Sequence, residues 1–99
     1  MKFDESYELL ADVYAELPKK SADKLANSIK QAVAALEQGQ RDPAKVQKIF
    51  DKLCANALKI ADETGTDARF LRDCLAADVM YILDWFDLTL DVEDAMRGM

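Results

Sequence analysis

One stretch of the chain decides its fold class: residues 42–65 read DPAKVQKIFDKLCANALKIADETG. Its apolar residues recur every three or four positions, which gathers them on one face of an α-helix. These residues are Val46, Ile49, Phe50, Leu53, Cys54, Ala57, Ile60 and Ala61. Asp42 and Pro43 are typical of a helix start, and Gly65 suits the left-handed residue after a helix end. The pattern predicts a helix from Pro43 to about Thr64.

The same spacing predicts two helices before this stretch. Apolar residues at intervals of four and three indicate a helix over residues 3–17. Pro18 ends it, because proline disfavours helical geometry in the residue before it. A second helix is predicted over residues 21–38, with Ser21 as its N-cap and Gly39 just after its end.

Two further helices are predicted after it. Thr66 is the expected N-cap of a helix that runs to about residue 87 and is apolar almost all round. Asp91 and Asp94 then resemble a capping arrangement for a short last helix over residues 92–97. No alternation of period two predicts a strand.

Length and composition indicate one helical domain. The chain has 99 residues, of which 51% are hydrophobic and 32% charged, with 3 Gly and 2 Pro. These values are typical of a globular chain that folds as a single domain over residues 1–99. Because the predicted connections are short, sequential helices should be antiparallel neighbours. We predict an all-α fold, a four-helix up-and-down bundle with a short fifth C-terminal helix.

Charge is unevenly distributed along the chain, whose net charge is −6. Residues 1–17 contain one basic and five acidic residues, residues 18–63 nine and six, and residues 64–99 three and eight. Nucleic-acid phosphates attract proteins of positive charge, so we expect no nucleic-acid partner. The acidic ends suit docking to a basic protein surface, and they also suit solubility alone.

The sequence carries no signal of export or membrane insertion. Asp4 and Glu5 stand where a secretory signal would be apolar, and no apolar run approaches the roughly 20 residues that span a bilayer. Cys54 and Cys74 fall on apolar helical faces, as buried free cysteines do. We expect a cytoplasmic protein that does not associate with a membrane.

The residue types that carry most enzyme chemistry are missing. The chain has no histidine, the commonest general base and metal ligand, and its isolated glycines form no phosphate-binding loop. The spacing of Asp84, Asp87 and Asp91 would align three carboxylates, but no calcium-binding loop motif accompanies them. We expect no catalytic residue, no cofactor and no bound metal.

Asp78 is the candidate buried polar residue. It falls within the apolar face of the helix predicted after Thr66, where an ionised carboxylate needs a partner. The candidate partners on neighbouring helices are Tyr7, Tyr14, Ser28 and Arg41. The alternatives are a pocket acid with a raised pKa that meets a ligand or transfers a proton, and simple exposure at the helix edge.

Met80 and Leu83 are the candidate interface residues. Helical spacing places them beside Asp84 and Asp87, on the side opposite Trp85, which is expected to pack in the core. Another helix of the same chain would cover Met80 and Leu83, or else a second copy of the chain would do so in a homodimer.

Four lysines lie opposite the apolar face of the helix that begins at Pro43. They are Lys45, Lys48, Lys52 and Lys59. Nearby acids, among them Asp51 and Asp62, partly neutralise this ridge, which indicates a solvated surface. The alternative is a surface that grips an acidic partner or anionic lipid.

Two groups of residues carry a resemblance to a known family. They are Tyr14, Pro18, Lys19, Asp23, Lys24, Leu36 and Glu37, and then Asp78, Tyr81, Ile82, Leu83, Asp91, Glu93, Ala95 and Met96. In this order of residues the chain resembles, over most of its length, a small all-helical bacterial family of unknown function. The aromatic ending usual in that family is missing after Arg97. The resemblance implies an all-helical fold and transfers no site residue.

Three classes of function fit these observations. The first is a non-catalytic protein-interaction module, an acidic inhibitor, immunity-type protein or regulatory subunit that binds a basic protein partner. The second is a structural homo-oligomeric helical protein that uses Met80 and Leu83. The third is a small-molecule-binding protein or enzyme centred on Asp78. The charge, the size and the missing catalytic groups favour the first.

Overall fold

The computed structural model describes residues 16–99, and within that range the chain forms four α-helices and no strand. They are α1 (Lys19–Glu37), α2 (Pro43–Thr64), α3 (Ala68–Trp85) and α4 (Val92–Ala95). The predicted all-α fold class is confirmed. The helix expected over residues 3–17 lies outside the described residues, except for its last two positions.

α2 begins and ends where its sequence predicts. Asp42 is the N-cap, Pro43 lies in the first turn, and Gly65 follows the helix with a φ of 69°. Only a residue without a Cβ adopts this left-handed geometry at little cost, so glycine suits the position. Gly39 likewise has a φ of 87° just after the C-cap of α1.

The predicted N-cap of α1 is wrong. The helix begins at Lys19, and its N-cap is Pro18 rather than Ser21. The carbonyl of Pro18 accepts the N–H of Ala22 at 2.9 Å, so the first helical hydrogen bond forms before Ser21 is reached. Proline keeps its own φ fixed and needs no N–H at this position, which makes it compatible with a helix start.

The predicted N-cap of α3 is also wrong, by one residue. Asp67 occupies this position, and its carboxylate accepts the N–H of Arg69 at 2.9 Å. The hydroxyl of Thr66 pairs instead with that of Thr64 at 2.7 Å. The carboxylate of Asp67, which is a stronger hydrogen-bond acceptor than a hydroxyl, caps the helix. The helix ends at Trp85.

α4 has the expected cap but is shorter than the predicted helix over residues 92–97. The carboxylate of Asp91 accepts the N–H of Asp94 at 2.8 Å. The N–H of Arg97 then bonds the carbonyl of Asp94, a step of three residues rather than four. This tighter pattern is typical of a turn that closes a helix.

α1 and α2 form an antiparallel hairpin. The ammonium of Lys24 is 3.7 Å from the carboxylate of Glu63, and the amide of Asn56 donates to the hydroxyl of Ser28 at 3.1 Å. Residue numbers therefore rise along α1 as they fall along α2. Because α2 also contacts α3 and α4, it is the central helix of the described part of the chain.

The residues after α3 fold back against the middle of α2. The thiol of Cys54 donates to the carbonyl of Ala95 at 3.5 Å, and the guanidinium of Arg97 is 3.1 Å from the carboxylate of Asp51. Ala95 and Met96 are buried. The C-terminal segment is therefore part of the core rather than an appendage.

The core is shared by α1, α2, α3 and the residues after α4. Its largest fully buried side chains are Phe50, Leu25, Ile29, Leu36, Leu53, Leu71, Leu75, Ile82 and Met96. Burial of such apolar surface is the main stabilising contribution to the fold. None of the helices between residues 16 and 99 is long and apolar enough to cross a bilayer.

Candidate functional site

Leu83 is covered by its own chain, which is one of the two alternatives that the helical spacing left open for it. Leu83 lies one helical turn after Val79 on the same face of α3 and is 6% exposed. Trp85, which was expected in the core, is 39% exposed and stacks on Tyr81 with ring centroids 6.1 Å apart. Because α3 is apolar almost all round, its neighbours in the fold select the buried side.

The other candidate interface residues lie on the exposed side of α3. Met80 is 53% exposed and is the most exposed large apolar side chain that the structure describes. The exposed residues Asp73, Ala77, Met80 and Asp84 follow each other at intervals of four, three and four. This spacing gathers them on one face of the helix.

Asp87 continues this row in the turn after α3. It is exposed and has a left-handed φ of 53°, a conformation that Asp and Asn tolerate better than most residues. We call the five residues from Asp73 to Asp87 the acidic stripe. Neither salt bridge within residues 16–99 involves an acid of this stripe.

Asp78 lies on the opposite side of α3 from Met80 and is 2% exposed. Neither of its carboxylate oxygens has a hydrogen-bond partner among the residues that the structure describes. Burial raises the pKa of Asp78 to about 7, because the charged form loses its hydration. The group is therefore a mixture of neutral acid and carboxylate near neutral pH.

The expected partners of Asp78 are engaged elsewhere or lie outside the described residues. The hydroxyl of Ser28 donates to the carbonyl of Lys24, and the guanidinium of Arg41 donates to the carbonyl of Leu36. Tyr7 and Tyr14 fall outside residues 16–99. The proposed pairing with Ser28 or Arg41 is therefore wrong, and Asp78 is a buried acid without a partner from either of them.

The acids and thiols do not assemble a metal centre in the described part of the chain. No three Cys, Asp or Glu side chains there come close enough to hold an ion, the set of Asp84, Asp87 and Asp91 included. Cys54 is buried and Cys74 half-buried, and neither forms a disulfide. Burial raises the pKa of the Cys54 thiol, which makes it a poor nucleophile.

Three adjoining pockets that share lining residues form a row along the seam between α1 and α2. Lys45, Lys52 and Lys59 line them, whereas Lys48 lies outside. All four lysines were predicted to lie on one ridge, because the helical spacing of α2 alone does not show where α1 packs. We call this surface the hairpin groove. One sequence pattern could have indicated the hairpin groove. It is the row of α2 residues at intervals of four and three that begins at Lys45 and ends at Glu63.

Both surfaces lie inside a region that a known family model matches. The model describes a family of unknown function, DUF5713, and it matches residues 3–98. The chain belongs to the DUF5713 family. This agrees with the resemblance to a family of unknown function that the residue pattern indicated. No curated protein and no solved structure matches this DUF5713 protein.

Proposed function

We propose that the protein is a non-catalytic protein-interaction module, an acidic inhibitor, immunity-type protein or regulatory subunit that binds a basic protein partner. The acidic stripe carries this proposal. It joins an exposed apolar side chain, Met80, to exposed carboxylates at Asp73, Asp84 and Asp87. Burial of Met80 would set the lifetime of the complex, and the carboxylates would steer a basic surface towards it.

The absence of catalytic chemistry in this proposal rests on two observations. The chain contains no histidine to act as a general base. Asp78 has a pKa suited to proton transfer, but it lines none of the grooves along α1, α2 and the α2–α4 edge. Because Asp78 is 2% exposed and lines none of these grooves, a small-molecule site centred on it is the weakest of the three readings.

The test is affinity capture by the tagged full-length protein from a lysate of its source cells. A variant of the acidic stripe carries Asp73→Asn, Asp84→Asn and Asp87→Asn. A matched control loses the same charge from exposed acids elsewhere, through Asp23→Asn, Glu37→Gln and Asp62→Asn. We expect a basic protein to be captured by the wild type and the control, and its capture to fall about tenfold with the stripe variant.

Release by salt distinguishes binding that depends on charge from apolar adhesion. Screening by about 0.5 M salt should release the partner, because the steering carboxylates are exposed. Identification by mass spectrometry then allows the pair to be rebuilt from purified proteins. Equal capture by the stripe variant and the control, or capture of an acidic protein only, contradicts the proposal.

A structural homo-oligomeric role is the second candidate. The exposure of Met80 favours it, because an apolar side chain of this size on a helix face is typical of contact surfaces. Leu83 contributes nothing to such a contact, since it is buried within its own chain. Met80→Glu replaces the apolar side chain with a charged one and would dissociate a homodimer of this kind.

We further propose the complete helix arrangement and the cellular location that the sequence indicates. Residues 3–17 would complete a four-helix up-and-down bundle with α1, α2 and α3, and α4 would be the short fifth helix. A cytoplasmic location fits Cys54, whose buried thiol packs as a small apolar group. Backbone chemical shifts of residues 3–17 in the full-length protein test the helix, and fractionation of the source cells tests the location.

A further inference from the structure

The α2 wall of the hairpin groove has a regular pattern of charge. Its residues are Lys45, Ile49, Lys52, Asn56, Lys59 and Glu63. The three lysines are exposed and stand seven residues apart, which is roughly 10.5 Å along a helix. None of them forms a salt bridge within residues 16–99. The wall therefore presents evenly spaced positive charges.

The α1 wall offers polar groups that are mostly uncharged. Its residues are Lys24, Ser28, Gln31, Ala35 and Gln38. Side-chain amides both donate and accept hydrogen bonds, as a peptide backbone does. Small residues on this side, Ala32 and Ala35, keep the middle of the groove open. The groove thus has a charged wall and a wall suited to main-chain hydrogen bonds.

The spacing of the lysines matches a peptide in the polyproline II conformation. This conformation has three residues per turn and advances roughly 3.1 Å per residue, so every third side chain points the same way at intervals of about 9.3 Å, close to the distance between neighbouring lysines. We propose that the hairpin groove binds an acidic segment of a protein partner in the polyproline II conformation, with an acidic residue at every third position. Seven residues of such a segment place three carboxylates opposite Lys45, Lys52 and Lys59.

Charge and geometry favour a peptide over other anions. The lining residues of the α2 and α1 walls include four lysines and one glutamate, in a chain whose net charge is −6. The overall negative charge repels the dense phosphates of nucleic acid, whereas widely spaced carboxylates meet only the local positive charge. The exposed ion pair of Lys24 and Glu63 is weak enough to open when a segment enters.

Two peptides of the same composition test the proposal. The spaced peptide is Glu-Ser-Ser-Glu-Ser-Ser-Glu and the clustered peptide is Glu-Glu-Glu-Ser-Ser-Ser-Ser, both with blocked termini. Titration into the isotopically labelled full-length protein, followed by nuclear magnetic resonance, gives each Kd and the residues affected. An exposed ion pair contributes about threefold, so we expect the spaced peptide to bind about tenfold more tightly through its two additional pairs.

A matched pair of variants tests whether the preference for the spaced peptide depends on the lysines of the groove. The groove variant carries Lys45→Gln, Lys52→Gln and Lys59→Gln. The control carries Lys20→Gln, Lys30→Gln and Lys48→Gln, which remove the same charge from exposed positions outside the groove. We expect the groove variant to lose the preference for the spaced peptide and the control to keep it.

Three results would overturn the proposal. The first is equal binding of the two peptides, and the second is an equal loss of binding in the two variants, because either indicates attraction by charge alone. The third is tighter binding of a thymidine tetranucleotide than of the spaced peptide, since both carry three negative charges. The acidic stripe is unchanged in all these variants, so failure here leaves the proposed basic partner untouched.

Discussion

At the scale of single residues, Asp78 sets how stability depends on pH. Its pKa is about 7 in the folded chain and roughly 3.9 in an unfolded one. Below pH 4 the group is protonated in both states and does not change the free energy of unfolding. Between pH 4 and pH 7 the unfolded chain is ionised while the folded chain stays neutral, so stability falls as the pH rises. Above pH 7 the loss of folding stability no longer changes with pH and is on the order of 4 kcal/mol.

Asp78→Asn removes this ionisation while it keeps the shape of the neutral acid. We expect the variant to match the wild type near pH 4 and to be more stable at pH 8, by up to about 4 kcal/mol. Urea denaturation at the two pH values measures the difference. Asp84→Asn is the control, because Asp84 is exposed and its loss should change stability little at either pH. Lower stability of Asp78→Asn at pH 8 would mean that the ionised carboxylate has a partner.

A single methyl group should matter more than an ion pair near the C-terminus. A Cβ on Gly98 would stand 3.0 Å from the Cβ of Cys54, which is closer than most carbon atoms approach. We expect Gly98→Ala to destabilise the fold by about 1 kcal/mol, because Cys54 is held within the core. Arg97→Ala removes an exposed ion pair with Asp51 and should change stability little. The reverse order in thermal denaturation would contradict this account.

At the scale of elements, α4 depends on its neighbours. It has four residues, too few for a helix to be stable alone. Met96, which follows it, is buried, and its side chain anchors the segment in the core. We expect Met96→Ala to destabilise the fold by about 2–5 kcal/mol. Met80→Ala is the same change at an exposed position and should stay within about 0.5 kcal/mol of the wild type. Equal effects in urea denaturation would show that the segment is not anchored by Met96.

Local signals explain which elements could be predicted from the sequence. α2 was predicted at both ends, because Asp42 and Pro43 start it and Gly65 ends it without help from other helices. The buried side of α3 was predicted at Asp78 but not at its edges, because Leu83 and Trp85 are both apolar and only the packing of other helices distinguishes them. The hairpin groove could not be predicted for a similar reason, since its two walls come from different helices.

At the scale of the whole molecule, opposite charges occupy different surfaces. The hairpin groove is lined by lysines on α1 and α2, whereas the acidic stripe lies on α3 and the turn after it. The two surfaces share no residue, so substitutions in one should leave binding at the other unchanged. The uneven charge of the sequence therefore places lysines along one groove and carboxylates along α3, and the two proposals assign a different partner to each surface.

The acidic stripe also bears on the oligomeric state. A two-fold dimer places the same patch of each copy against the other, so a contact centred on Met80 would bring Asp73 of one copy close to Asp87 of the other. Like charges in a desolvated contact repel, and Met80 alone offers little apolar area. We expect light scattering at neutral pH to give the monomer mass of 11.1 kDa, and Met80→Glu to leave it unchanged. A dimer mass that falls to the monomer value on Met80→Glu would instead establish the homo-oligomeric role.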